Sequence, residues 1–106
     1  MTYAMIVLSD IVQTYLDKLE YVHPYHRSIK FEDNVAAKWA CKELLNDIYK
    51  VDELPFDLTP DELLDHFIEK MKRYACEHDH KEHTYLFAKA ADTAEFISEE
   101  YWQSYN

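Results

Sequence analysis

Apolar residues recur at three- and four-residue steps along most of this chain, the period of an amphipathic helix rather than the alternation of a strand. The first such stretch covers residues 2–22, with Leu8, Val12, Tyr15, Leu19 and Val22 on one face. His23-Pro24 closes it, because the residue before a proline is driven out of the α region. A strand over residues 4–8 is the alternative, and the unbroken period favours helix. A second helix is predicted over residues 32–50, where Ala37, Cys41, Leu44, Leu45 and Ile48 form the stripe and Val35 and Trp39 flank it. A third is predicted over residues 60–77, with Leu63, Leu64, Phe67, Ile68, Met71 and Tyr74 or Ala75 facing inward. A fourth, over residues 81–102, carries Leu86, Phe87, Ala90, Ala94, Ile97 and Tyr101. Its Ala88, Ala90, Ala91 and Ala94 are small enough to let another helix approach closely.

Two of these helices begin with recognisable caps. In Thr59-Pro60-Asp61-Glu62 a hydroxyl stands at the N-cap, proline at the first helical position and glutamate at N3. Asp79 with Glu82 forms a second candidate capping box. Lys70, Lys72 and Arg73 fall in the later turns of the third helix, where the dipole favours cations. Four amphipathic segments joined by short connections predict an all-α, single-domain antiparallel four-helix bundle.

Composition sharpens this. The 106 residues include no glycine, whereas ordinary usage would supply about seven. Walker A loops, Rossmann GxGxxG turns and GxSxG elbows all need glycine for steric reasons, so none is available here. Tight β-hairpins lose their preferred turn residues as well. With 21 acidic against 11 basic residues, the net charge is −10 and the pI about 4.9. Direct nucleic-acid binding is disfavoured, since no excess of Lys and Arg exists to displace counterions from phosphates. An anionic membrane surface would repel the chain too. A basic protein partner fits the charge. The run Tyr3 to Leu8 is far too short for a signal peptide or a membrane span. Cys41 and Cys76 form neither a metal pair nor a disulfide framework, and Cys41 reads as a small buried hydrophobe. A reducing, cytoplasmic setting is expected.

Three sets of residues carry candidate chemistry. The first is the pair of acidic stripes: Glu62, Asp65 and Glu69 share one face of the third helix, and Asp92, Glu95 and Glu99 share one face of the fourth, continued by Trp102. Each stripe spans roughly 10 Å at the helical rise and matches a row of Lys and Arg on a partner. Its plainer role is a solvated outer face. Tyr101 and Trp102 would add aromatic anchors, a residue type enriched at binding hot spots. Tyr105 and the residues around it would dock back on the bundle or onto a partner. Small phage-encoded inhibitors of the DNA-mimic and anti-CRISPR kind are similar in being short, acidic and glycine-poor. That likeness is one of composition, and it implies an inhibitor of a basic, nucleic-acid-handling protein.

The second set is the run Cys76-Glu77-His78-Asp79-His80-Lys81-Glu82-His83. Imidazoles are good ligands for Zn and Ni, and His80 and His83 at i, i+3 can share a helix face with His78 joining from the turn. The plainer reading is a polar turn between helices. Glu77-x-x-His80 is a single copy of the motif that di-metal bundles use twice. The third set is Arg73 and His78, whose Arg-x4-His spacing resembles that of the HEPN ribonucleases. In those helical proteins the Arg and His converge on the scissile phosphate, usually across a dimer interface. The resemblance covers six residues and departs at Tyr74, where a polar residue is usual; a dipole-favoured Arg and a turn His account for it equally simply. No serine has a legible base and orienter. The leading expectation is a non-enzymatic interaction module. A metal-binding domain, a HEPN-like ribonuclease and a homodimer sealed along the alanine face are its rivals.

Overall fold

Four α-helices make up the computed structural model: α1 (Tyr3–Tyr21), α2 (Phe31–Lys50), α3 (Pro60–Glu77) and α4 (Lys81–Tyr105), with a 3-10 turn at Val51–Glu53 following α2. The structure describes residues 2–21, 31–77 and 80–105, and among these there is no strand. The all-helical expectation therefore holds, and the four segments sit within one residue of their predicted starts. Val22 and the loop that follows it lie outside the described residues. At 1.5 Å per residue α4 is about 37 Å long, which sets the longest dimension of the molecule, 39 Å.

The starts of α1, α3 and α4 have local hydrogen bonds. The Met5 N–H donates to Thr2 Oγ1 at 3.3 Å and the Ile6 N–H to the Thr2 carbonyl at 3.0 Å, so Thr2 caps α1. At α3 the capping box forms in full. The Glu62 N–H donates to Thr59 Oγ1 at 3.2 Å, while the Thr59 N–H and hydroxyl donate to Glu62 Oε1 at 3.3 and 2.9 Å. At α4 the first helical bond runs from the Thr84 N–H to the His80 carbonyl at 3.0 Å, which puts His80 at the cap position; the expected cap, Asp79, lies outside the described residues. The last turn of α1 gains a partner from α2, where Asn34 Nδ2 donates to the Leu19 carbonyl at 3.3 Å, satisfying an acceptor that a helix end leaves open. No described residue takes a positive φ, which spares a chain without glycine the steric cost of that conformation.

The core follows the stripes except for a shift on α1 and a later start on α4, where Leu86 and Phe87 are only part-buried. On α1 the buried line is Met5, Leu8, Val12, Leu16 and Leu19. Leu16 takes the place expected for Tyr15, whose longer polar-tipped ring sits half-buried at the edge of the core. On α2 the expected five residues are buried, joined by Ala36 and Ala40. On α3, Leu63, Leu64, Phe67 and Met71 are buried while Ile68 and Tyr74 pack partly exposed against them. On α4 the buried line is Ala90, Ala91, Ala94, Ile97 and Tyr101. Complete burial of a Leu, Phe or Met side chain stabilises a fold by about 1.5–3 kcal/mol, and Phe67 is the bulkiest side chain so buried here. Thr93 is buried too, its hydroxyl satisfied by the Lys89 carbonyl at 2.9 Å.

The helices pack unequally. α3 and α4 share the most extensive contact, α2 touches both α1 and α4 broadly, and α1 meets α4 only slightly. The buried alanines of α4, Ala90, Ala91 and Ala94, let neighbouring helices approach closely; the slight α1–α4 contact leaves a groove between those two.

Candidate functional site

All six stripe carboxylates are exposed: Glu62, Asp65 and Glu69 on α3, and Asp92, Glu95 and Glu99 on α4. The two helices that carry them are packing neighbours. A salt bridge links the stripes, Lys72 Nζ lying 3.0 Å from Glu95 Oε1 with both side chains about half exposed or more. Lys72 stands three residues after Glu69 and so continues the α3 face. Two of the carboxylates already have work. Glu62 closes the α3 cap and Glu95 holds Lys72. Asp65, Glu69, Asp92 and Glu99 make no ion pair among the described residues.

The aromatic end of this surface differs from expectation. Tyr101 is only 4% exposed and belongs to the core, so it is not available as a surface anchor. The helical period continues through it from Ala94 and Ile97, which turns it inward. Its neighbour Trp102 is 46% exposed, with the two rings edge-on at 6.2 Å. Trp102 alone of the two is exposed at the surface. The helix expected to end at residue 102 continues to Tyr105, and neither glycine nor proline follows Trp102 to end it sooner.

Three cations meet beside the α3 stripe, at a hollow that Glu69 also lines. A hollow of about 460 Å³ between the end of α2 and α3 is lined by Lys50, Lys70 and Arg73 around Leu58 and Phe67. Lys70 pairs there with Asp47 at 3.5 Å and lies over the Phe67 ring at 5.5 Å. Arg73 reaches Glu77 at 3.9 Å and covers the Tyr74 ring at 5.6 Å. Its proposed ribonuclease partner His78 lies outside the described residues.

For the histidine run, the His80 and His83 rings come together with centroids 5.1 Å apart, as the i, i+3 spacing implies. His78 and Asp79 are outside the described residues. Among the described residues no group of three His, Cys, Asp or Glu side chains is arranged to hold a metal ion. Nor is any helix among them long and apolar enough to cross a membrane.

Two titratable groups are displaced from their ordinary values, Cys41 in the core and Tyr15 at its edge beside the α1–α4 groove. Burial pushes the Cys41 thiol from 9.0 to about 12, which keeps it protonated and inert at neutral pH. Burial also raises the Tyr15 phenol, with a further push from Cys41. Cys76, by contrast, is exposed.

Comparison with protein families, curated proteins and solved structures finds no match.

One feature of the surface escaped the sequence reading. Tyr15 of α1 and Phe96 of α4 meet with ring centroids 5.1 Å apart, and Val7, Ile11 and Phe96 line a groove beside them. Phe96 is 42% exposed although large and apolar. The signal was present: Val7, Ile11 and Tyr15 repeat every four residues just beside the buried stripe of α1. Together with that stripe they make an apolar arc broader than the core covers.

Proposed function

We propose that this chain is a non-enzymatic interaction module that binds a basic partner protein through the carboxylates of α3 and α4. An inhibitor of a nucleic-acid-handling protein, of the phage or mobile-element kind, is its most specific form. The observation that carries the reading is the exposed row Asp65, Glu69, Asp92 and Glu99, unpaired among the described residues and set on two neighbouring helices. Single exposed ion pairs contribute only about 0–1 kcal/mol each, so the row would steer and orient a basic partner. Trp102 would supply desolvated area at its edge.

We take α3 and α4 to run antiparallel within a four-helix bundle. A parallel pairing would need the connection to return along α3, about 27 Å for 18 residues. Residues 78–80 span at most about 11 Å. The contacts agree: moving forward from Lys72 to Tyr74 on α3 moves backward from Glu95 to Phe87 on α4. In that arrangement the two carboxylate stripes run side by side.

The test is capture of partners from host lysate on the immobilised chain, followed by a salt gradient. The captured protein should be basic and bind nucleic acid, elute as salt rises, and be competed off by duplex DNA. Asp65→Lys, Glu69→Lys and Glu99→Lys together should abolish capture; this set spares Glu62, which the α3 cap needs. Capture indifferent to salt and to the triple change would overturn the proposal.

The close His80 and His83 rings favour a second reading, a Zn- or Ni-binding site completed by His78. Stoichiometric metal uptake should then vanish when His78, His80 and His83 are all changed to Ala. Uptake unchanged by that substitution would remove it.

A further inference from the structure

The groove between α1 and α4 encloses about 420 Å³ above Val7, Ile11, Tyr15 and Phe96. The Tyr15–Phe96 contact separates it from a second hollow of about 240 Å³, which reaches Leu19 and is bordered also by Asp33 and Ala37 of α2. From Val7 to Leu19 the floor is about 18 Å long at the helical rise, the length of three turns. Its apolar side chains follow a helical repeat, which suits the apolar face of another helix. The rim is acidic. Asp10 and Glu100 border the first hollow and Asp33 and Asp92 the second, against Lys18 and Lys89. Lys89 is drawn over the Tyr85 ring at 5.6 Å, and the Tyr85 hydroxyl donates to Asp33.

We infer that this groove seats one amphipathic helix of the partner, with large apolar residues at i, i+4, i+7 and i+11 and Lys or Arg along both flanks. The inference rests on the proposed basic partner and says how it docks. Charge selects this occupant over a second copy of the chain, which would bring a net −10 onto an acidic rim. The groove also adjoins the carboxylate row: Asp92 lines the second hollow and Glu99 stands beside Glu100 on α4. A helix in the groove would therefore hold the rest of the partner against the α4 stripe.

The test uses a labelled 15-residue synthetic helix with four leucines at that spacing and lysines on its flanks, titrated with the protein by fluorescence anisotropy. Two control peptides share its length: one with the same composition but scattered leucines, one with glutamate flanks. The lysine-flanked helix should bind and both controls should bind at least about tenfold more weakly. Phe96→Ala should cost about tenfold, the scale of a hot-spot truncation. Asp10→Lys with Glu100→Lys should weaken binding as well without touching the core, both residues being exposed. Equal binding of the scattered peptide, or binding unaffected by both sets of substitutions, would overturn the groove. So would a dimer in sedimentation that Phe96→Ala dissolves, since a second copy would then be the occupant. Lysate capture separates the two proposals. Capture lost with Asp65→Lys, Glu69→Lys and Glu99→Lys but kept with Phe96→Ala upholds the carboxylate row and rejects the groove. Peptide binding lost with Phe96→Ala, with no basic protein captured, upholds the groove chemistry and rejects the row.

Discussion

Alkaline pH should destabilise this protein chiefly through the sulfur of Cys41. The side chain is fully buried on α2 and burial holds its thiol at about 12 instead of 9.0. Between those values the unfolded chain releases the proton and the folded chain keeps it. The unfolded state then binds fewer protons, so unfolding becomes more favourable as pH rises. The contribution is nil below the unfolded value and grows above it by about 1.4 kcal/mol per pH unit. At about pH 10.5 it amounts to roughly 2 kcal/mol, a large share of the stability of a domain this size. Tyr15, also raised, acts in the same direction once the pH exceeds its ordinary value of 10.0. The measurement is urea unfolding followed by circular dichroism at about pH 7.5 and pH 10.5, for the wild type and for Cys41→Ala. The variant forfeits packing at both pH values but has no thiol to ionise. Its deficit at neutral pH should therefore shrink by roughly 2 kcal/mol at the higher pH. Parallel losses in the two proteins would refute the argument, because the alkaline effect would then lie elsewhere.

Thr59→Ala removes the acceptor for the Glu62 N–H and should lower stability by about 1 kcal/mol; Thr59→Ser keeps the hydroxyl and should restore most of it, both read from urea midpoints at constant slope. Ala94→Leu forces four-carbon bulk into a position with no exposure and should cost about 1–3 kcal/mol. Ala88→Leu, on the exposed side of the same helix, should stay within about 0.5 kcal/mol; equal costs at the two positions would show that α4 does not pack through its alanines.

How far the sequence foretold this structure depends on the kind of signal. Helix starts with side-chain caps were legible because Thr59 and Glu62 make their bonds within one turn, whatever the rest of the chain does. The helix end at Tyr105 was not, since no breaker marks it and periodicity alone does not say where a helix stops. All five stripe residues predicted on α2 are buried, with Ala36 and Ala40 in addition, but on α1 the stripe chose Tyr15 over Leu16, two adjacent residues about 100° apart on the helix. Which of them points to the centre depends on where α2 and α4 lie. The acidic face was readable as charge and spacing, and the structure places all six carboxylates at the surface. The burial of Tyr101 follows the α4 stripe, whereas the pairing of Glu95 with Lys72 depends on a second helix. The groove was the least legible feature, since it exists only because α1 and α4 fail to meet closely.

The unequal packing has a kinetic consequence. The broadest contact joins α3 and α4, which only residues 78–80 separate. Closing so short a loop costs little chain entropy, so this hairpin should nucleate folding, while α1, held mainly by α2, should dock late and leave early. Refolding after a denaturant jump is expected within microseconds to milliseconds, as for other chains rich in local contacts. Ala94→Leu should then slow refolding, whereas Leu8→Ala in α1 should chiefly hasten unfolding. Stopped-flow traces in which Leu8→Ala slows refolding as much as Ala94→Leu would place the nucleus elsewhere. On this order of events the face that seats a partner helix is assembled last, and the wall most easily lost is α1.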